Sequence, residues 1–114
     1  MATTPLQPIV SGVSLTTLFQ DIYIVPSGLS GVGVDSAVFN NYSSSTENYT
    51  VRLIQSGASS ELNEIITSKD IRALKNDLAP AMIGQALIVG GTIQAKASAN
   101  NAINVNITAT LVNV

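Results

Sequence analysis

The side chains with the widest chemical range in this sequence are its carboxylates, because the chain contains neither histidine nor cysteine. Without those two residue types, no Ser-His-Asp or Cys-His arrangement and no Cys/His zinc site is possible. Glu61 and Glu64 are close in sequence, and Asp21 or Asp35 could approach another acid in the fold. A paired-carboxylate hydrolase also needs a cleft and one acid with a raised pKa. Seven acids, clustered in a loop-rich region, do not indicate such a pair, and we expect no enzymatic activity.

A glycine-rich stretch, Gly28–Gly33, is the other candidate for ligand binding. Its glycine spacing fits neither the dinucleotide fingerprint nor the P-loop, and no Lys follows it. We therefore expect a loop between two strands. No calcium-loop sequence occurs, and the remaining ligands are hard oxygens without a recognisable loop. We expect no metal and no cofactor.

Charge and hydropathy argue against two further classes of partner. The net charge is −2, whereas a nucleic-acid-binding domain normally carries a basic patch. Met1–Val10 has two prolines and no Lys or Arg, so we expect no signal peptide. Leu78–Ala95 is the longest charge-free apolar stretch, but Pro80 and the pair Gly90-Gly91 interrupt it. We interpret it as buried core rather than a membrane span.

Most of the chain alternates apolar and polar residues with a period of two, the pattern of strands with one buried face. The clearest run is Ile103–Leu111, in which aliphatic or small side chains alternate with Asn and Thr. Shorter alternations cover Tyr49–Leu53 and Ile93–Ser98, and Val32–Asn40 indicates another strand. Leu18–Val25 is apolar on both faces apart from two residues, which predicts a more central strand. The side chains that we expect to be buried are Tyr49, Leu53, Ile93, Ile107 and Leu111.

Turn residues separate these runs and indicate the fold class. Pro26-Ser27-Gly28 predicts a turn, Asn40–Ser45 a polar loop, and Asn100-Asn101 a tight hairpin. Strands about 8–12 residues apart with turns between them are typical of a β-sandwich or barrel. We predict one all-β domain, a β-sandwich that is Ig-like or jelly-roll-like.

One segment departs from the period of two. In Ser68–Leu78, Ile71, Leu74 and Leu78 recur at helical spacing, and Asp77 could cap a further turn that ends at Gly84. We expect one or two short helical turns there, with Met82 and Ile83 packed in the core.

The charges are distributed unevenly along the chain. Nine of the 12 charged residues lie between Glu47 and Asp77, and the last 37 residues carry only Lys96. The terminal strands therefore have outward faces of Ser, Thr, Asn and Gln, which give little electrostatic protection against association. Ala102–Val114 has neither a charge nor a proline, the usual protections of an exposed sheet edge. Either this strand is internal to its sheet or a neighbouring subunit covers it.

The first residues are expected to behave differently from the rest. We divide the chain into an extended N-terminal arm, residues 1–10, and a single β-sandwich domain, residues 11–114. An arm with two prolines and no helical or strand period stays disordered unless something holds it, so we expect it to lie along a neighbouring subunit. The proposed subunit contacts are Pro5, Pro8, Val10, Asn104, Asn106 and Thr108.

Three segments carry a resemblance to a known family. They are Tyr23–Gly28, Tyr49–Ile54 and Leu87–Ser98, together with the final alternating strand. The chain resembles small β-sandwich virion structural proteins of tailed bacteriophages, which often begin with an aromatic-x-x-Pro-x-Gly turn and close with Leu-x-x-Gly-Asp-x-Ile. The resemblance spans Leu18–Val112, and it departs at Gly91, where the family often has Asp.

The resemblance implies a structural part of a phage particle, either a capsid cement (decoration) protein or a small protein of the neck, tail or fibre. It implies a virion location, with assembly in the bacterial cytoplasm. The implied partners are copies of the same chain and other virion proteins such as the major capsid protein. The alternative is a receptor- or carbohydrate-binding module of a tail fibre. That alternative calls for surface aromatics to stack on sugars, and the chain has only three tyrosines: Tyr23, Tyr42 and Tyr49.

Overall fold

The computed structural model describes residues 2–55 and 65–113, so the expected carboxylate pair Glu61 and Glu64 lies outside the described residues. The strands are β1 (Thr3–Ser14), β2 (Gln20–Ile24), β3 (Leu29–Asn41), β4 (Glu47–Ile54), β5 (Ile65–Ile71), β6 (Asn76–Asp77), β7 (Ala86–Ile88), β8 (Thr92–Ala97) and β9 (Ile103–Asn113). Sheet A has the order β1-β9-β3-β6, with β7 also paired to β3, and sheet B has the order β2-β8-β4-β5. Two antiparallel sheets confirm the predicted all-β sandwich.

The core lies between the sheets, and two stacked aromatic rings connect them. Phe39 of β3 and Tyr49 of β4 have ring centroids 4.0 Å apart and planes inclined by 10°. Both side chains are completely buried. The Tyr49 hydroxyl donates a hydrogen bond of 2.6 Å to Oδ2 of Asp77 in β6, which satisfies its polar end.

Strand β9 is internal to sheet A, because it pairs with β1 on one side and β3 on the other. Its alternation follows the prediction as far as Ala109, with inward side chains buried and outward ones polar. The alternation of buried and outward side chains ends at Ala109, and Leu111 is only half-buried. The uncharged strand therefore needs no neighbouring subunit to cover an edge.

The N-terminal residues differ from the expected arm. Strand β1 crosses the expected boundary at residue 10 and pairs with β9 of its own chain from Thr3 to Ser14. Three register shifts interrupt this pairing, and Pro5, Pro8 and Gly12 lie within the strand. These irregularities hide the period of two from the sequence, and prolines and bulges are also typical of an exposed edge strand.

A β-bulge in β3 reverses which face each side chain occupies. The register with β9 shifts between Val34 and Ser36, so the buried positions change from Val32 and Val34 to Ala37 and Phe39. Val38, which the sequence places in phase with the earlier valines, consequently lies on the outer face. One inserted residue is enough for this reversal because side chains alternate along a strand.

The glycine-rich stretch is the start of β3 rather than a loop. A Cβ added to Gly31 would lie 2.7 Å from the carbonyl oxygen of Leu87, so only glycine lets β7 approach this closely. The outer edge of β7 is occupied by the amide of Gln55, which follows β4. Gln55 Nε2 donates to the carbonyl of Ala86 at 2.9 Å, and Gln55 Oε1 accepts from the Ile88 N–H at 3.0 Å.

Of the one or two short helical turns expected between Ser68 and Gly84, one is present, at Pro80–Met82, and Ser68–Leu78 itself is not helical. This region contains the end of β5, a turn and β6, and β5 pairs with β4 from Ile65 to Ile71. Leu74 and Leu78 are exposed, so their spacing does not mark a buried face. One helical turn does follow, at Pro80–Met82, where the Ala79 N–H donates to Asp77 Oδ2 at 2.9 Å.

Other predicted elements occur with altered surroundings. The Leu18–Val25 segment contains β2, which is an edge strand of sheet B rather than a central one. Asn100-Asn101 forms a turn, but it connects β8 of sheet B to β9 of sheet A and so is not a hairpin. Within Leu78–Ala95, Met82 is buried as expected, whereas Ile83 is 54% exposed.

The burial difference between two positions of β9 tests this register. Ile107→Ala is expected to lower the free energy of unfolding by about 2–5 kcal/mol, because it leaves a cavity in the core. Leu111→Ala, at a half-buried position, is expected to lower it by less. Urea unfolding of both variants measures the difference, and an equal or reversed ranking would contradict the register.

The Tyr49 hydroxyl makes stability depend on alkaline pH. Burial raises the Tyr49 pKa, and the Asp77 carboxylate raises it further, both as hydrogen-bond acceptor and as negative charge. The protonated tyrosine therefore stabilises the fold fully below its unfolded pKa of about 10, and this contribution is lost as the pH rises above that value.

Tyr49→Phe is expected to flatten the loss of stability above pH about 10. Denaturant unfolding at a series of alkaline pH values measures the slope, with Tyr42→Phe, at an exposed tyrosine, as the matched control. A slope that Tyr49→Phe leaves as steep as in the wild type would contradict this assignment.

Candidate subunit interface

The outward side chains of β9 and β3 form a continuous surface, which we call the sheet A face. The register pairs Asn104 with Asn40, Asn106 with Val38, and Thr108 with Ser36. These six residues, together with Thr110 of β9, are half-buried or exposed. The sheet A face is thus built from amides, hydroxyls and one valine.

Hydrogen bonds between its own side chains cross-link this surface. The hydroxyls of Ser36 and Thr108 are 2.6 Å apart, and Asn40 Nδ2 donates to Asn104 Oδ1 at 3.1 Å. On the other side, Asn106 Oδ1 accepts from the Gly12 N–H of β1 at 2.8 Å. Because these polar groups already have partners within the chain, covering the face does not leave them unpaired.

Asp35 is the single charged residue in strands β1, β3 and β9. It lies at the bulge of β3, where its carboxylate accepts from the Thr110 hydroxyl at 2.9 Å and from the Leu6 N–H at 3.2 Å. Leu6 has a φ of 55°, in the left-handed region that a residue with a Cβ rarely adopts. Asp35 therefore fixes the most irregular part of β1 to the sheet.

The predicted contact residues fall into different environments. Asn104, Asn106 and Thr108 lie on the sheet A face, and Pro8 pairs with Thr108 at its border. Pro5 is exposed in the irregular stretch of β1 between Thr4 and Gln7. Val10 is only 3% exposed, and it packs in the core instead of reaching the surface. Val10 is buried because β1 is a strand of the sandwich and not an arm.

Three further residues of this surface were not predicted from the sequence, namely Asp35, Ser36 and Asn40. Their side chains face β9 partners that are between 64 and 75 residues away in sequence. The bulge in β3 also moves Ser36 and Asn40 out of the phase that the valines suggest. An aspartate inside an otherwise uncharged strand was the one available signal.

The outer surface of sheet B carries several charged side chains. Asp21 of β2, Gln94 of β8 and Arg52 of β4 are joined in a row, since Gln94 Nε2 donates to Asp21 Oδ1 at 2.6 Å and Arg52 Nε donates to Gln94 Oε1 at 2.8 Å. The Arg52 guanidinium lies 3.7 Å and the Lys96 ammonium 4.7 Å from the centre of the Phe19 ring. Most charges of the described strands thus lie on sheet B, whereas the described strands of sheet A carry only Asp35 and Asp77.

Neither a metal-binding cluster nor a membrane-spanning helix occurs among the described residues. Residues 2–55 and 65–113 contain no group of three His, Cys, Asp or Glu side chains placed to hold a metal ion. No helix within these ranges is long and apolar enough to span a bilayer.

Comparisons with known proteins identify a shared fold. No family model matches the chain, and no curated protein matches it. A chain in the crystal structure of the T13 viral particle of infectious bursal disease virus superposes with a TM-score of 0.49, and one in the structure of that virus's Gx strain with 0.50. Both are 7% identical to this chain and align with 98% of it.

This chain spans 31% and 32% of the length of those two viral chains. At 7% identity the likeness concerns the fold alone. The fold of this chain is therefore similar to that of a part of a viral protein.

The bond between Asp35 and β1 predicts a local change in dynamics. Asp35→Ala is expected to speed amide hydrogen exchange at Leu6 and its neighbours in β1 roughly fivefold, because a hydrogen bond of about 1 kcal/mol is lost. Asp21→Ala, which removes a carboxylate from sheet B, is the matched control and should leave β1 unchanged. Equal exchange in β1 of both variants would contradict the role of Asp35.

Proposed function

We propose that this chain is a non-catalytic structural protein of a virus particle, which packs against neighbouring subunits through the sheet A face. The observation that carries the proposal is the broad polar surface of β9 and β3, whose hydroxyls and amides are hydrogen-bonded within the chain. Its one charge, the Asp35 carboxylate, accepts hydrogen bonds from Thr110 and Leu6. Such a surface can be buried without the desolvation cost that unpaired charges carry.

The similarity of fold to a chain in the infectious bursal disease virus structure supports a virion protein as the class. The resemblance of Tyr23–Gly28, Tyr49–Ile54 and Leu87–Ser98 to tailed-phage virion proteins supports the finer proposal, a capsid cement or decoration protein. In that role the chain is located in the virion after assembly in the bacterial cytoplasm. Its partners are other copies of itself and the major capsid protein.

The absence of catalysis is part of this proposal. It is supported by the lack of His and Cys in the sequence. It is also supported by three of the described acids, whose carboxylates accept hydrogen bonds within the fold. Asp35 accepts from β1, Asp77 from Tyr49, and Asp21 from Gln94. Each of these carboxylates has a structural hydrogen bond that accounts for its presence.

Introducing a charge on the sheet A face tests the proposal. Thr108→Lys is expected to weaken self-association more than about tenfold, because an unpaired ammonium would be buried at the interface. Ser68→Lys is the matched control, since it replaces an exposed hydroxyl on β5 of sheet B, which already carries charges. Sedimentation velocity over a range of concentrations measures association, and circular dichroism checks that both variants fold.

Association that is lost in Thr108→Lys but kept in Ser68→Lys is the expected result. If Thr108→Lys does not fold, Val38→Lys introduces the same charge on the same face. A wild-type protein that remains monomeric at every concentration and does not bind virus particles would overturn the proposal. Equal association of the variants with charges on the two sheets would overturn the assignment of the interface.

A further inference from the structure

A cavity of about 250 Å³ lies at one end of the sandwich, where Asn40 of the sheet A face forms part of its lining. Two exposed side chains that line it are Tyr42, after β3, and Leu74, in the turn between β5 and β6; they are 62% and 73% exposed. The rest of the lining is polar: Asn40, Asn41, Lys75 and Asn76. The exposed ring of Tyr42 thus lies near side-chain amides and one ammonium group.

The two loops that form the cavity are cross-linked by a buried side chain. Asn41 is 2% exposed, and its Nδ2 donates to the carbonyl oxygens of Ser45 at 2.9 Å and Ile71 at 2.8 Å. Its Oδ1 accepts from the Ser43 N–H at 2.8 Å. One amide therefore holds the loop after β3 against the turn after β5, and the cavity walls are fixed before any ligand arrives. Preorganisation of this kind reduces the entropic cost of binding.

The positions of the two exposed side chains are also fixed. The Tyr42 hydroxyl accepts from Asn104 Nδ2 at 2.8 Å, and the Tyr42 N–H donates to the carbonyl of Ala102 at 2.8 Å. Leu74 has a φ of 59°, in the left-handed region, and the Lys75 N–H donates to the carbonyl of Arg72 at 3.1 Å to close the turn. The fold thus keeps a leucine exposed beside an exposed tyrosine, although burying both would be favourable.

Polar groups in the cavity remain available for a ligand. Within the part of the chain that the structure describes, no residue hydrogen-bonds the side-chain amide of Asn76 or pairs with the Lys75 ammonium. An amide offers donors and an acceptor, and an ammonium offers three donors. Apolar surface beside such groups matches a ligand that has a C–H face and a rim of hydroxyls.

We propose that this cavity binds a saccharide, with one pyranose ring packed against Tyr42 and Leu74 and its hydroxyls hydrogen-bonded by Asn76 and Lys75. The volume is below the roughly 300–1,000 Å³ of pockets that enclose drug-sized ligands, which suits a single ring. A sugar presents hydroxyls around an apolar face, and tyrosine is suited to contact both because it has an apolar ring and a polar tip. The site borders the sheet A face and shares Asn40 with it, and it goes beyond the proposed structural role.

The test is a titration of the isotope-labelled protein, followed by amide chemical shifts. The probes are the methyl glycosides of glucose, galactose, mannose and N-acetylglucosamine, each added to millimolar concentrations. At least one probe is expected to shift the amides of Tyr42, Leu74 and Asn76 selectively. Glycerol at the same hydroxyl concentration is the control for a general solvent effect.

Variants distinguish this site from other surfaces. Tyr42→Ala is expected to raise the dissociation constant at least about fivefold, because the aromatic contact is lost, whereas Tyr42→Phe keeps the ring and is expected to bind more tightly than Tyr42→Ala. Leu18→Ala, at another exposed leucine, is the matched control and should bind as the wild type does. The shifts of Asn41 in every variant report whether the cavity has kept its shape.

No selective shift with any of the four glycosides would overturn the saccharide proposal. Shifts that Tyr42→Ala leaves unchanged would overturn the assigned site. Neither result affects the sheet A face, whose test is the association of the Thr108→Lys variant. The two proposals therefore fail separately.

Discussion

Strand β9 holds sheet A together, because it pairs along its length with β1 on one side and β3 on the other. Its inward side chains fill the core, and its outward side chains form the centre of the sheet A face. A strand fixed on both edges cannot shift by one residue without exchanging these two sets. The same alternation therefore determines the packing of the core and the chemistry of the surface.

Side-chain contacts across the core connect the two sheets. Phe39 and Tyr49 stack across the core, and Tyr49 reaches Asp77, which also accepts from the N–H of Ala79. These contacts bring the short strand β6 and the helical turn that follows it against the edge of sheet A. The region richest in charge is in this way anchored to the least charged sheet.

The parts of the fold that could be predicted are those where the backbone is regular. The alternations of β8 and most of β9 are uninterrupted, and that of β4 departs only at Thr50, which is buried as well, so their inward faces were correctly predicted. The bulge at Asp35 and the irregular pairing of β1 depend on partners far away in sequence, and local periodicity contains no information about them. The exposed residues Leu74 and Leu78 suggested a helix because sequence alone does not show which leucines are buried.

The same limits apply to the candidate interface. Asn104, Asn106 and Thr108 could be placed on one surface because they alternate within a regular strand. Val10 was misplaced because the strand that contains it looks like an arm. The contrast between a sheet A with few charges and a more highly charged sheet B was partly visible in the sequence, but assigning it to two faces required the strand order.

The side-chain amide of Gln55 affects whether another strand can pair with the outer edge of β7. It supplies one donor and one acceptor to the outer edge of β7, in the way that a peptide group of an adjacent strand would. A strand of another molecule could pair with this edge of β7 only after displacing the side chain of Gln55. Edge-to-edge pairing, by which sheets extend into fibres, is thereby disfavoured at this border.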